Sequence, residues 1–108
     1  MSQGLASSAV APTKMGSRYL QQLCKHWQHN LEVEYDAERG RVVFPRNARG
    51  ADWPGDGEVT MMARPDALEC RVRATSPGQL EALKGALVRH LDRFAFREAP
   101  LAFEWKDG

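Results

Sequence analysis

The spacing of the apolar residues changes twice along this chain, and that change constrains its fold more than any other feature. Apolar residues recur every three or four positions in residues 18–29, mostly alternate with polar residues in 31–74, and return to the helical spacing in 77–94. An amphipathic helix and a half-polar strand each have an apolar side that must be buried against another element. The chain is therefore expected to form antiparallel strands covered by helices.

A first amphipathic helix is predicted over residues 18–29. Its apolar stripe consists of Leu20, Leu23, Cys24 and Trp27. Ser17 is a suitable N-cap, because its hydroxyl can accept from an early backbone N–H, and Asn30 is a suitable left-handed stop.

Two β-hairpins are predicted next. Residues 31–36 and 41–45 alternate in polarity around a short turn at 37–40, in which Gly40 is expected to supply a positive φ. Residues 46–57 have no period and are expected to be a loop. Residues 58–64 and 68–74 form the second hairpin, which turns at Pro65-Asp66-Ala67.

A second helix begins at the strongest start signal in the chain. Ser76-Pro77-Gly78-Gln79 matches a capping box, with Ser76 as the cap and Pro77 at the first helical position. Its apolar stripe consists of Leu80, Leu83, Leu87, Leu91 and Phe94. Pro100 prevents continuation, and residues 101–106 are expected to be a last strand with Leu101, Phe103 and Trp105 facing inward.

These elements predict an α+β fold: a two-layer sandwich in which two helices pack on one face of an antiparallel sheet of about five or six strands. Residues 1–7 are expected to be a mobile tail and residues 8–108 a single domain. Residues 8–14 form a weaker strand, which Pro12 restricts to an edge position.

Charge and hydropathy argue against a nucleic acid and a membrane as partners. Fifteen Lys and Arg against fourteen Asp and Glu leave a formal charge of +1, whereas nucleic-acid binders usually have a strong basic excess. Arg39, Arg41 and Arg46 are followed by acidic residues that cancel their field. No apolar run approaches the ~18 residues of a membrane span, and the start is a poor secretion signal. A cytoplasmic protein with Cys24 and Cys70 as reduced thiols is expected.

Three histidines are the most distinctive polar residues. His26 and His29 lie about 60° apart on the predicted helix, whereas Cys24 lies about 160° from His26, inside the apolar stripe. His90 flanks the stripe of the second helix. Four interpretations stay open: solvated or hydrogen-bonded side chains, a ligand pocket where His26 meets His90 across the helix seam, a transition-metal set of His26, His29 and His90, and a role of His26 and His29 at an oligomer contact.

The residues give no catalytic constellation. Cys24 and Cys70 both face inward by pattern, and a buried thiol is inert. No nucleophile, base and orienting group can be assembled, and the motifs of phosphate-binding loops and common hydrolases do not occur.

Two long stretches resemble a small bacterial family. Residues 17–29 (SRYLQQLCKHWQH) resemble its opening and residues 88–98 (VRHLDRFAFRE) its close, while residues 39–45 fit its middle. The chain is similar to this family, domain of unknown function 2218, from about Thr13 to Trp105. It departs from the family in the 46–57 loop, where a tight turn is usual.

The resemblance implies no assigned activity. A related domain is attached to siderophore-interacting flavin reductases, so by analogy the resemblance implies a link to iron uptake and such a reductase as a partner. The matched polar positions are the ligand-binding candidates, namely Arg18, His26, His29, His90, Arg93, Arg97 and Glu98.

Three functions are therefore predicted. The first is a non-catalytic accessory or binding domain linked to ferric siderophores, in which basic and imidazole groups of the two helices hold an anionic ligand. The second is a transition-metal-binding protein. The third is a structural homodimer that associates through Trp53 and the edge of the sheet.

Overall fold

The computed structural model describes residues 5–107, which form six β-strands, two α-helices and one short 3₁₀ helix. In chain order the elements are β1 (Leu5–Pro12), α1 (Gly16–Trp27), β2 (Glu32–Tyr35), β3 (Arg39–Phe44), the 3₁₀ helix (Ala48–Gly50), β4 (Gly57–Arg64), β5 (Ala67–Ala74), α2 (Pro77–Phe94) and β6 (Lys106–Asp107).

The described strands form one antiparallel sheet in the order β2-β3-β4-β5-β1-β6. Both helices pack on the same face of this sheet and contact each other. The predicted α+β sandwich is therefore confirmed. The core between the layers contains, with no exposed surface, Leu20, Leu23, Val42, Val59, Leu68, Val72, Leu87 and Leu91.

The opposite face of the sheet is polar, as the alternation in the two hairpins predicts. Arg41 lies there among three glutamates: its Nε is 2.5 Å from Glu58, and its Nη1 is 3.6 Å from Glu34 and 3.8 Å from Glu32. All of these side chains except Glu58 are largely exposed, so the ion pairs of Arg41 with Glu32 and Glu34 add little to stability.

Helix α2 begins as its sequence predicts. The Ser76 hydroxyl accepts from the backbone N–H of Gln79 at 3.1 Å, and Pro77 is the first helical residue. Gln79 is 1% exposed and ties the helix to its surroundings. Its Oε1 accepts from the N–H of Thr75 at 2.7 Å, and its Nε2 donates to the carbonyl of Gly55 at 2.9 Å.

The start of α1 differs from the prediction. The helix begins at Gly16, and Met15 is its N-cap without a side-chain hydrogen bond. Ser17 lies inside the helix, and its hydroxyl donates to the carbonyl of Ala37 in the β2–β3 turn at 2.5 Å. The prediction of Ser17 as the cap is therefore wrong, because a carbonyl from a distant turn competes for this hydroxyl.

The turn of the first hairpin is also built differently. The Asp36 carboxylate accepts from the N–H groups of Glu38 and Arg39 at 2.8 and 2.9 Å, and these bonds lower the pKa of Asp36. Gly40 is buried within β3, and its φ lies outside the left-handed region. The predicted positive φ at Gly40 is therefore wrong, and the reason for a glycine there is close packing against α1.

Both ends of the described chain differ from expectation. β1 begins at Leu5, because Ser7 is fully buried and donates to the carbonyl of Lys106 at 3.0 Å, so residues 5–7 are not a tail. The remainder of the predicted tail, residues 1–4, lies outside the described residues. The predicted last strand is reduced to Lys106–Asp107, although Leu101 is buried and Phe103 and Trp105 pack against the core.

Candidate functional site

His26 and His90 face each other across the seam between the two helices. Their ring centroids are 5.5 Å apart, with an angle of 41° between the rings. His26 lies in the last turn of α1, and His90 lies in the penultimate turn of α2. The structure thus brings together the two imidazoles that the sequence places on facing helices.

Aromatic residues surround this pair. The centroid of the Trp27 ring lies 5.2 Å from that of the His90 ring. It lies 5.0 Å from that of the Phe44 ring, which it meets edge to face. The centroid of the Phe94 ring lies 6.0 Å from that of His26, and the two rings are in T-shaped contact. Trp27 belongs to the buried stripe of α1, so the seam places a polar pair directly above a packed aromatic cluster.

The orientation of His90 is fixed from its own helix. Its Nδ1 lies 2.6 Å from the carbonyl oxygen of Ala86, one turn earlier in α2. A carbonyl oxygen can only accept, so Nδ1 carries the hydrogen in this contact. The ring is therefore held by the backbone of α2, at an angle of 56° to the ring of Trp27.

A groove of about 710 Å³ opens beside the histidine pair. Its walls come from the end of α1, from α2, from the end of β3 and from the loop between β3 and β4. Trp27, Phe44 and Trp53 give it three aromatic rings, and His26, His90 and Arg89 are its ionisable residues. None of the described residues that line it is acidic. We call it the histidine groove.

Trp53 is held in the wall of the histidine groove by the structure of its loop. Arg46 forms an ion pair with Asp52, and its Nε donates to the carbonyl of Trp53 at 2.9 Å. The Trp53 ring lies over Gly78 at the start of α2, where an added Cβ would be 3.2 Å from the ring. The charge of Arg46 is therefore neutralised within the loop, as predicted. Trp53 packs on the first turn of α2.

The other candidates do not join His26 and His90. α1 ends at Trp27, and the carbonyl of Trp27 accepts from the N–H groups of Asn30 and Leu31 in a tight turn. His29 lies in this turn, exposed and outside the lining of the groove. The predicted side-by-side placement of His26 and His29 on one helix is wrong, because the helix ends two residues too early.

The predicted arginines are divided between two places. Arg93 is exposed near the end of α2 and lines neither the histidine groove nor the cleft that holds Arg18 and Arg97. That second cleft lies on the other side of Phe94. Arg89, Phe44 and Trp53 complete the groove and were not among the predicted ligand-binding residues. Phe44 was signalled by the inward alternation of its strand and Trp53 by being an isolated aromatic in a loop, whereas nothing in the sequence singled out Arg89.

The described residues also bear on metal binding and catalysis. No group of three or more His, Cys, Asp or Glu side chains in residues 5–107 is placed to hold a metal ion, so the predicted trio of His26, His29 and His90 is not assembled. Burial raises the pKa of Cys24 to about 11 and that of Cys70 to about 12. Both thiols therefore stay protonated at neutral pH, a state in which sulfur is a poor nucleophile.

Comparisons with known proteins agree with the fold. Residues 8–106 match the family described as an uncharacterised protein conserved in bacteria (DUF2218). The NMR structure of PA4090 from Pseudomonas aeruginosa is similar, with 27% sequence identity and a TM-score of 0.72 over 94% of this chain and 95% of that chain. No curated protein matches the sequence. Within residues 5–107, neither helix has the length and apolar character needed to cross a membrane.

Proposed function

The chain belongs to the bacterial family of uncharacterised proteins DUF2218, and for this member we propose a non-catalytic binding domain whose histidine groove holds a small aromatic anion. One observation carries the proposal: three aromatic rings and a cationic side chain line a single groove that has no carboxylate among its described lining residues. Ligand sites are commonly apolar and aromatic concavities with a few polar groups that fix orientation.

The charge of the groove favours an anion. Arg89 is exposed, and its guanidinium folds over Gly85, where Nη1 lies 2.9 Å from the position of an added Cβ. The small residue lets the guanidinium lie close along α2 at the edge of the groove. A carboxylate or phenolate placed there accepts charge-assisted hydrogen bonds from Arg89 and a hydrogen bond from the exposed ring of His26.

The shape and lining of the groove favour a ring. Its volume of about 710 Å³ is in the range of sites that take small organic ligands. Trp27, Phe44 and Trp53 come from three different elements, so a flat ligand meets rings on more than one side. Stacked or edge-on aromatic contacts add about 0.5–1.5 kcal/mol each beyond the area they bury.

The link to siderophores is a finer proposal. It rests on the family resemblance and on a chemical match, because catecholate and salicylate groups of iron chelators are themselves flat aromatic anions. Four further features stay predictions: a siderophore-interacting reductase as partner, a cytoplasmic location, transition-metal binding and a homodimer. Elemental analysis and light scattering at several concentrations test the last two.

The experiment that tests the proposal is a calorimetric titration with salicylate, with 2,3-dihydroxybenzoate and with its ferric complex, followed in parallel by tryptophan fluorescence. We expect saturable binding with a Kd of roughly 10–500 μM and quenched emission from the two tryptophans of the groove. Salicylamide, which lacks the carboxylate, is expected to bind at least about tenfold more weakly. Absence of saturable binding by every probe would overturn the proposal.

Matched variants locate the ligand. His26→Ala and Trp53→Ala are expected to weaken salicylate binding by about five- to thirtyfold. His29→Ala removes an exposed imidazole three residues away and is expected to leave the affinity unchanged. If His29→Ala weakens binding as much as His26→Ala, the ligand does not occupy the histidine groove.

A further inference from the structure

A second cleft lies between the start of α1 and the segment that follows α2. Its volume is about 530 Å³, and no residue lines both this cleft and the histidine groove. Phe94 lies between the two, since its ring is in T-shaped contact with the ring of His26 and also lines the second cleft. We call it the arginine cleft, after Arg18 on α1 and Arg97 beyond α2.

The arginine cleft is lined by two exposed cations and by one carboxylate, that of Glu98. Arg18 and Arg97 are both exposed, and no ion pair joins either to another of residues 5–107. The guanidinium of Arg97 instead lies 5.7 Å from the centre of the Phe96 ring. Two guanidiniums that line one cleft offer charge-assisted hydrogen bonds to an anion that can accept several of them.

Glu98, the acidic residue of the cleft, is already engaged. Its Oε2 accepts a hydrogen bond from the hydroxyl of Tyr19 and another from that of Thr13 at 3.0 Å. Burial and this contact with Glu98 raise the pKa of Tyr19, so its hydroxyl stays a donor. The carboxylate of Glu98, although the residue is exposed, is therefore held in place by two hydroxyls.

The wall of the cleft is apolar and exposed. Phe96 is 71% exposed, more than any other large hydrophobic side chain among the described residues, and Met15, which also lines the cleft, is 40% exposed. An exposed phenyl ring is common by itself, but this ring lines a concavity and carries a guanidinium beside it. The arrangement matches a ligand that has an apolar group next to its negative charge.

Gln22 adds a hydrogen-bonding requirement. Its Oε1 is buried without a hydrogen-bond partner, and its side chain lines the arginine cleft. A buried acceptor without a donor costs about 1–3 kcal/mol. A ligand N–H reached by a rotation of this amide removes that cost on binding.

We propose that the arginine cleft binds an N-acylated apolar amino acid. Its carboxylate pairs with Arg18 and Arg97, its amide N–H donates to Gln22, and its apolar side chain lies against Phe96 and Met15. The same chemistry occurs in a free N-acyl amino acid and at the carboxyl end of a peptide with an apolar last residue. This proposal is independent of the ligand proposed for the histidine groove.

The experiment titrates the protein with three probes that differ by one group at a time. N-acetyl-L-phenylalanine is expected to bind saturably with a Kd of roughly 50–1000 μM. N-acetyl-L-phenylalanine amide lacks the carboxylate and is expected to bind at least about tenfold more weakly. 3-Phenylpropanoate lacks the N–H and is expected to lose about three- to tenfold. Equal binding of the amide, equal binding of phenylpropanoate, or no binding of the parent probe each overturns the proposal.

Matched variants locate the ligand, and a peptide probe distinguishes a free N-acyl amino acid from the carboxyl end of a peptide. Arg97→Gln and Arg18→Gln are expected to weaken N-acetylphenylalanine binding at least about fivefold, whereas Arg93→Gln, an equally exposed change of the same charge outside the cleft, is expected to leave it unchanged. An equal loss in Arg93→Gln indicates general attraction of anions and overturns the proposal. An acetylated tripeptide ending in phenylalanine that binds more tightly than the single residue supports a peptide ligand, and weaker binding supports a free N-acyl amino acid.

Discussion

Gly40 of β3 lies directly against the thiol of Cys24 on α1. A Cβ added to Gly40 would be 2.6 Å from Cys24 Sγ and 3.3 Å from Cδ2 of Leu20. Both side chains of α1 are fully buried, so neither has free space into which it can move. The first helix therefore approaches the sheet at a distance that only a residue without a Cβ permits.

Gly40→Ala is expected to destabilise the protein by about 1–3 kcal/mol, because the extra methyl forces a core side chain out of place. Cys24→Ala removes the sulfur, so the double variant Gly40→Ala/Cys24→Ala is expected to be more stable than the sum of the single effects by at least about 1 kcal/mol. Urea unfolding of the four proteins measures this coupling. Strict additivity would show that the cost at Gly40 does not come from Cys24.

The elements that the sequence predicted best depend on local signals. The capping box at Ser76 involves residues three positions apart, and the alternation in the hairpins is a property of each strand alone. Pro65 and Asp66 connect two strands in register, which needs no information from the rest of the chain. Elements with strong local signals keep their predicted structure in the folded protein because the tertiary packing favours the same local structure.

The elements that the sequence mispredicted depend on distant partners. Ser17 donates to Ala37, twenty residues away, and Ser7 donates to Lys106 at the other end of the chain. The position of Gly40 has no room for a Cβ because Cys24, a residue of another element, lies against it. A pattern within one segment cannot show which group from elsewhere will meet it.

Only the part of the candidate site that depends on local signals could be predicted from the sequence. His26 and His90 could be placed on facing helices from their positions beside the apolar stripes. Trp53 could not, because its position depends on the ion pair of Arg46 with Asp52 and on the absence of a side chain at Gly78. His29 was misplaced because nothing in its immediate neighbours shows that the helix ends at Trp27.

Gln79→Leu is expected to destabilise the protein by about 2–4 kcal/mol, although leucine has a similar size. The substitution removes the acceptor of the Thr75 N–H and hydroxyl, and it removes the Nε2–H donor to the Gly55 carbonyl, all in part-buried positions. Ser76→Ala, which removes one cap hydrogen bond at the same helix start, is the matched control with an expected cost of about 1 kcal/mol. Chemical unfolding of both variants checks the order, and an equal cost would mean that Gln79 serves only as a second cap.

The two thiols are expected not to react with a disulfide reagent such as 5,5′-dithiobis(2-nitrobenzoate) at pH 8 in the native protein. Cys24 and Cys70 are 0% and 2% exposed, and burial keeps both protonated. Both are expected to react fully in denaturant, so the native rate measures opening of the structure. Rapid reaction of either thiol in the native protein would contradict its place in the core.

Stability is expected to fall at alkaline pH because of the same thiols. Their pKa rises on folding from an ordinary value of 9.0 to about 11 at Cys24 and about 12 at Cys70. Below pH 8 both states hold these protons and the thiols contribute no pH dependence. Between pH 9 and about 11 the unfolded chain releases protons that the native protein keeps, so the free energy of unfolding decreases by up to about 1.4 kcal/mol for each thiol per pH unit. Urea unfolding at pH 8, 9 and 10 measures this slope, and the double variant Cys24→Ala/Cys70→Ala is expected to show a flatter one, whatever its absolute stability. An identical slope in the variant would mean that groups other than the two thiols, among them Tyr19 with its raised pKa, account for the alkaline loss.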